Sequence, residues 1–151
     1  MNCKKIAAGN RPTRDQQFRH ITRLRSRFCR HGNPIISVDA KKRELVGNFK
    51  NAGRKWQRVP TLVNDHDFRS LAKGIALPFG IYDLQANRGS VFVGVSHETS
   101  AFAVTSISRW WRQEVCRRYP NAKVLLILAD TGGGNSATRG AWKDQLQQHL
   151  W

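Results

Sequence analysis

Carboxylates are scarce in this chain. Ten Asp and Glu stand against 26 Lys and Arg in 151 residues, leaving a formal net charge of +16. Cysteine is scarcer still: Cys3, Cys29 and Cys116 are scattered, odd in number and form no C-x-x-C pair. That excludes a disulfide framework and fits free thiols in a reducing compartment. Cys29 and His31 have zinc-ligand character, but no second pair lies at finger spacing. Long apolar runs are absent as well. The run Val124–Ala129 is six residues, where about 18 or more are needed to cross a bilayer. No signal-peptide core is present, no Gly-Lys-Ser/Thr phosphate loop and no internal repeat. These absences point to a soluble, cytoplasmic protein of one domain at most.

What is present is basic, and unevenly placed. Residues 1–58 carry 16 Lys and Arg against only Asp15, Asp39 and Glu44, a local excess of 13. A front-loaded cationic surface favours a polyanionic partner, of which nucleic acid is the commonest. Hydrophobic content of 40% and five tryptophans argue for a folded core rather than disorder.

Periodicity supplies the elements. Residues 1–12 read as a linking segment. In 14–32, Phe18, Ile21, Leu24 or Arg25, and Phe28 recur at helical spacing, and Gly32 follows as the C′ residue. Pro34 opens a strand whose alternation sends Ile35, Ser37 and Asp39 to one face and Ile36 and Val38 to the other. Residues 40–43 turn the chain, and 44–50 are expected to return as a second strand. From 51 to about 78 the pattern dissolves into a long loop, in which Asp65, His66 and Asp67 read as loop chemistry rather than metal ligands. Residues 79–96 predict two strands around a turn at Asn87, Arg88 and Gly89. Thr99 is the expected N-cap of a helix whose stripe is Val104, Ile107, Trp111 and Val115, with Pro120 past its end. Val124–Ala129 reads as a strand buried on both faces, and a last helix runs from about Thr138 to His149. Antiparallel strands followed by a β-α-β crossover predict a mixed sheet with helices against it.

The buried strand ends in Asp130 and runs into Gly132, Gly133 and Gly134. A charge there is costly without a partner, and three readings compete. Gly132, Gly134 and Ala137 satisfy a dinucleotide fingerprint, but only 14 residues follow Ala137, too few for the next strand and its acid. A small glycine-loop methyltransferase meets the same lack of room. The third reading makes Asp130 a metal ligand beside Asp39, if their strands are neighbours. Two carboxylates about 4 Å apart do not both stay ionised cheaply without a cation. Mg²⁺ suits hard oxygen ligands and bridges phosphate oxygens, and the glycines would let a DNA backbone approach.

Three stretches, PIISVDAKKRELVGNFKNAGRKW, FGIYDLQANRGSVFVGVSHETSAFAVTSISRWW and RYPNAKVLLILADTGGGNSATRGAWKDQLQQHL, carry a specific likeness. The chain resembles, from about Arg14 to its last residue, the Rhodopirellula-type DDE transposases of bacterial insertion sequences. The resemblance implies an α/β fold similar to ribonuclease H and retroviral integrases, a mixed sheet flanked by helices. It implies metal-dependent DNA cleavage and strand transfer, with Asp39 and Asp130 as the first two catalytic acids and Mg²⁺ or Mn²⁺ as the cofactor in a two-metal site. It divides the chain into a basic linker and helix (1–32) and a partial catalytic domain (33–151). Arg23, Arg27, Lys41, Lys42, Arg43 and Arg139 are then the expected DNA contacts.

The partners implied are DNA, as transposon ends and target, and a second copy or a full-length transposase, with no membrane, in a nucleoid-associated cytoplasmic setting. The family's third acid, a glutamate well downstream of the second, has no match here; Asp144 does not fit its motif. The expectation is therefore a truncated mobile-element fragment, incomplete at its C-terminus, with Trp142 and Trp151 partly exposed. A non-catalytic DNA-binding remnant that interferes with a full-length relative is the alternative.

Overall fold

A computed structural model describes residues 13–50, 56–95, 99–130 and 140–150. The first helix, α1 (Arg14–Arg30), ends as its sequence predicts. Gly32 adopts a φ of +64°, the left-handed conformation that a glycine reaches without steric cost. Pro34 then leads into β1 (Ile35–Ala40), with Ile36 and Val38 buried and Ser37 and Asp39 exposed. Ile35 departs from the alternation and is buried too; it lies on the face against which α1 packs.

The second strand, β2 (Glu44–Val46), does not return along β1. Both β1 and β2 pair antiparallel with β3 (Gly74–Asp83), at Phe79–Asp83 and Gly74–Ala76 respectively. Chain direction is thus kept from β1 into β2, and residues 41–43 face only residues 77 and 78. One extra residue makes a β-bulge. Pro78 explains its position: proline has no N–H to give to the ladder, and only its carbonyl is used, accepting from Lys41 N at 2.8 Å. The predicted long loop therefore closes at Gly74, earlier than residue 78. The hairpin from β3 to β4 (Arg88–Gly94) turns through Asn87 at φ 51°, as expected for asparagine in a tight turn.

Thr99 caps α2 (Ser100–Trp110), its hydroxyl accepting from Phe102 N at 3.2 Å. A π-helical turn (Trp111–Val115) follows, then a short α3 (Cys116–Arg118). This turn corrects the predicted stripe. Val104, Ile107, Trp110 and Val115 are the buried members, and Trp111 sits at the core margin. The step from 110 to 115 spans five residues, the i→i+5 repeat of a π turn, which rotates the helix past Trp111. Gly94 lets the helix approach the sheet, since a Cβ there would sit 2.8 Å from the Phe102 ring.

The last strand, β5 (Leu126–Ala129), lies parallel to β1, giving the order β2-β3-β1-β5 with β4 on β3. Its residues are half-buried rather than buried on both faces, because β5 is an edge of the described sheet with β1 as its one paired neighbour. Helix α4 (Gly140–Leu150) packs on α2. Trp142 is buried in the core with Trp110 and Phe79, contrary to the expected exposure; Trp151 lies outside the described residues. The core thus occupies the α2 face of the sheet, while α1 covers β1 and β5 on the other.

Candidate active site

The register places the two predicted acids side by side. The last parallel pair is Val38 with Ala129; Asp39 and Asp130 are each the next residue along. Neighbouring strands lie about 4.8 Å apart, and residues in register share a face. The partners Ile36, Val38, Ile127 and Ala129 belong to the core. Asp39 and Asp130, one residue further, are on the opposite, α1 side of the sheet. Both line a cleft of about 580 Å³ walled by Ile21 and Leu24 of α1. The Asp39 side chain is 52% exposed, and Asp130 is exposed as well. Asp39 is ion-paired with Lys41, which lies at the bulge.

The other predicted positions divide into two groups. Lys41, Lys42 and Arg43 are exposed in the bulge directly after Asp39. Arg23 and Arg27 are exposed on α1, the helix that walls the cleft. Arg139 and the glycines at 132–134 lie outside the described residues. Asp144 is exposed on α4, whose Trp142 is seated in the core on the other face of the sheet. Asp65, His66 and Asp67 are exposed in the link before β3.

Can these residues hold a divalent ion? Two oxygen ligands on adjoining strand ends, both open to a cleft, fit a hard cation such as Mg²⁺. The Asp39–Lys41 ion pair already shows this carboxylate held against a positive charge. Among the described residues, no three His, Cys, Asp or Glu side chains come together. The site therefore offers two protein carboxylates and leaves the remaining coordination to water, substrate or other residues.

Sequence reading missed a third aspartate. Asp83, at the far end of β3, is fully buried. Its Oδ1 accepts from Gln85 N and Ala86 N at 3.1 Å each, and Tyr119 Oη donates to the carboxylate at 3.0 Å. Burial, then the hydrogen bond to Asp83, pushes the Tyr119 phenol up to about 12. The one local signal was an Asp three residues before Ala86 in a turn, the Asx geometry.

A central antiparallel hairpin, a helical crossover and a parallel strand beside β1 define a ribonuclease H-like fold. The crystal structure of the mariner Mos1 paired end complex with Mg shares it, with a TM-score of 0.50 at 16% identity; the match covers 97% of this chain and 44% of that one. The chain belongs to the Rhodopirellula transposase DDE domain family, which it matches over residues 1–150. No curated protein matches it. These likenesses give the methyltransferase reading no support. Among the described residues no helix is long and apolar enough to cross a membrane.

Proposed function

We propose that this chain supplies the catalytic core of a DNA transposase, with Asp39 and Asp130 holding Mg²⁺ or Mn²⁺ at the ends of β1 and β5. The observation that carries this is their position one step beyond the Val38–Ala129 pair, facing one cleft. Divalent ions held by Asp39 and Asp130 would supply charge stabilisation for an in-line phosphoryl displacement. The chain's own residues do the rest. Ile21 and Leu24 limit water on one wall of the cleft. Lys41, paired with Asp39, would be released to a substrate phosphate were a metal held there, Lys42 and Arg43 extend the phosphate contacts along the bulge, and Arg139 adds a further contact. Arg23 and Arg27 hold the flanking duplex from α1.

The substrates are transposon ends and target DNA, the partner is a second copy or a full-length transposase, and the setting is the nucleoid of the cytoplasm. Residues 33–151 form the catalytic part, with 1–32 as its basic approach. A second reading, a DNA-binding chain without cleavage, is favoured by one observation: no third carboxylate joins the pair among the described residues.

Mn²⁺ titration followed by electron paramagnetic resonance tests the site, and nicking of a plasmid carrying a transposon end separates the two readings. Mn²⁺ binding that weakens by about 10-fold or more in both Asp39→Asn and Asp130→Asn is expected, since even ligand-supporting groups are worth that much. Unchanged Mn²⁺ binding in Asp130→Asn overturns the shared site. Metal binding without nicking supports the second reading.

A further inference from the structure

A second cationic site lies at the other end of the sheet, on the other face. Arg88 is directly opposite Asp83 in the β3–β4 ladder, so the two side chains share the α2 face. There Arg88, Arg117 and Arg118, with Glu114, line a small cleft of about 190 Å³. Three guanidiniums against two carboxylates, Glu114 and the adjacent buried Asp83, leave it positive.

Arg118 is the anchored member. Its Nη2 is ion-paired with Glu114 at 2.5 Å, one turn earlier in the helix. Its Nη1 faces Asp83 Oδ2 at 3.6 Å, close enough for attraction but too far for a hydrogen bond. Asp83 already accepts from two backbone N–H groups and the Tyr119 hydroxyl. The Arg118 Nη1 is consequently buried with no hydrogen-bond acceptor among the described residues. A buried guanidinium donor left unused is costly, and its usual remedy is a water or an anion. Two further exposed arginines beside it favour the anion, because guanidinium forks match phosphate oxygens. The Asp83 network holds Arg118 in place before any ligand arrives, which removes the ordering cost of a free surface arginine.

We propose that Arg88, Arg117 and Arg118 form a phosphate-binding site separate from the Asp39–Asp130 cleft. The phosphate is either a free phosphate or phosphomonoester, or a phosphodiester of a DNA segment other than the one at the acids.

Isothermal titration of inorganic phosphate into the full chain, at ionic strength fixed with chloride, tests the site. A second arm measures duplex DNA binding by anisotropy. Both arms compare the double variant Arg88→Gln/Arg117→Gln with Arg109→Gln/Arg112→Gln, which removes equal charge from exposed positions on the α2 segment. Arg118 is left intact so that the Asp83 network persists, and circular dichroism confirms the fold. Phosphate is expected to saturate at one per chain and to weaken by about 10-fold or more only in the Arg88/Arg117 variant. If duplex binding then falls equally in both variants, the ligand is a free phosphate or phosphomonoester. If it falls further in the Arg88/Arg117 variant, the ligand is the DNA backbone. Absence of saturable phosphate binding, or equal weakening in both variants, overturns the site.

Discussion

The two ends of this sheet treat their aspartates in opposite ways. At one end Asp39 and Asp130 stand on adjoining strands, exposed, with Lys41 as the partner of Asp39. At the other end Asp83 has no exposed surface and accepts hydrogen bonds from Tyr119, Gln85 and Ala86. A carboxylate whose lone pairs are filled by its own fold is committed to holding that fold together. Carboxylates that reach a cleft side by side are within reach of a ligand there. Burial and satisfaction, rather than residue type, separate the acid at one end from the exposed pair at the other.

The largest expected effect breaks that contrast directly. Asp83→Ala should cost about 3–5 kcal/mol, because it strips the acceptor from three donors, two backbone N–H groups and the Tyr119 hydroxyl, and takes away one of the two carboxylates beside Arg118. Asp39→Ala should cost no more than about 1 kcal/mol, as expected for an exposed ion pair. Urea denaturation of both variants measures the difference. Equal losses would mean that the two ends are not distinct in kind.

A smaller effect sharpens the open end. Lys41 is ion-paired with the carboxylate that a metal would need. Lys41→Met should therefore tighten Mn²⁺ binding by about two- to fivefold, the scale of one exposed pair. Resonance titration reads it, and weaker binding in the variant would show Lys41 supporting the metal rather than competing with it.

Much of this arrangement was legible in the sequence, where the signals are local. Pro34 and the alternation over 35–40 gave β1, Asn87 gave the hairpin turn, Thr99 gave the α2 cap and Gly32 the end of α1. Asp39 and Asp130 stood out because each interrupts an apolar strand. What escaped depends on distant partners. The pairing of β2 with β3 is set by a bulge opposite Pro78, some 35 residues further along the chain than the residues it displaces. The π turn has no composition of its own; it shows only in which tryptophan the core accepts, Trp110 rather than Trp111. Asp83 drew no reading from the sequence, because the side chain that lies against it, Tyr119, is 36 positions later.

The basic helix offers a finer test of the open end. If Arg23 and Arg27 each neutralise one DNA phosphate, Arg23→Gln and Arg27→Gln should each flatten the slope of log affinity against log salt by about 0.9. Anisotropy titrations between low and moderate salt measure it. A slope unchanged in both variants would place the DNA away from α1 and leave the bulge as its principal contact.

The last expected effect belongs to the buried end and takes its pH dependence in alkali. Tyr119 holds its proton up to about 12 in the folded chain, against 10.0 for an ordinary tyrosine, through burial and the adjacent Asp83. Below pH 10 the phenol is neutral in both folded and unfolded chains, and its hydrogen bond to Asp83 contributes fully. Between about 10 and 12 the unfolded chain releases this proton while the folded chain retains it. The unfolded state therefore binds fewer protons, and stability falls with rising pH across that window. Ionising Tyr119 in place would set a phenolate against the Asp83 carboxylate, which the Arg118 guanidinium offsets only in part. Tyr119→Phe should lower stability at neutral pH by about 1 kcal/mol, the worth of a hydrogen bond, and should flatten the decline between pH 10 and 12. Denaturation midpoints of the two proteins across that range measure both effects. An alkaline decline that persists unchanged in Tyr119→Phe would assign it to other groups and remove Tyr119 from the network that fixes Asp83.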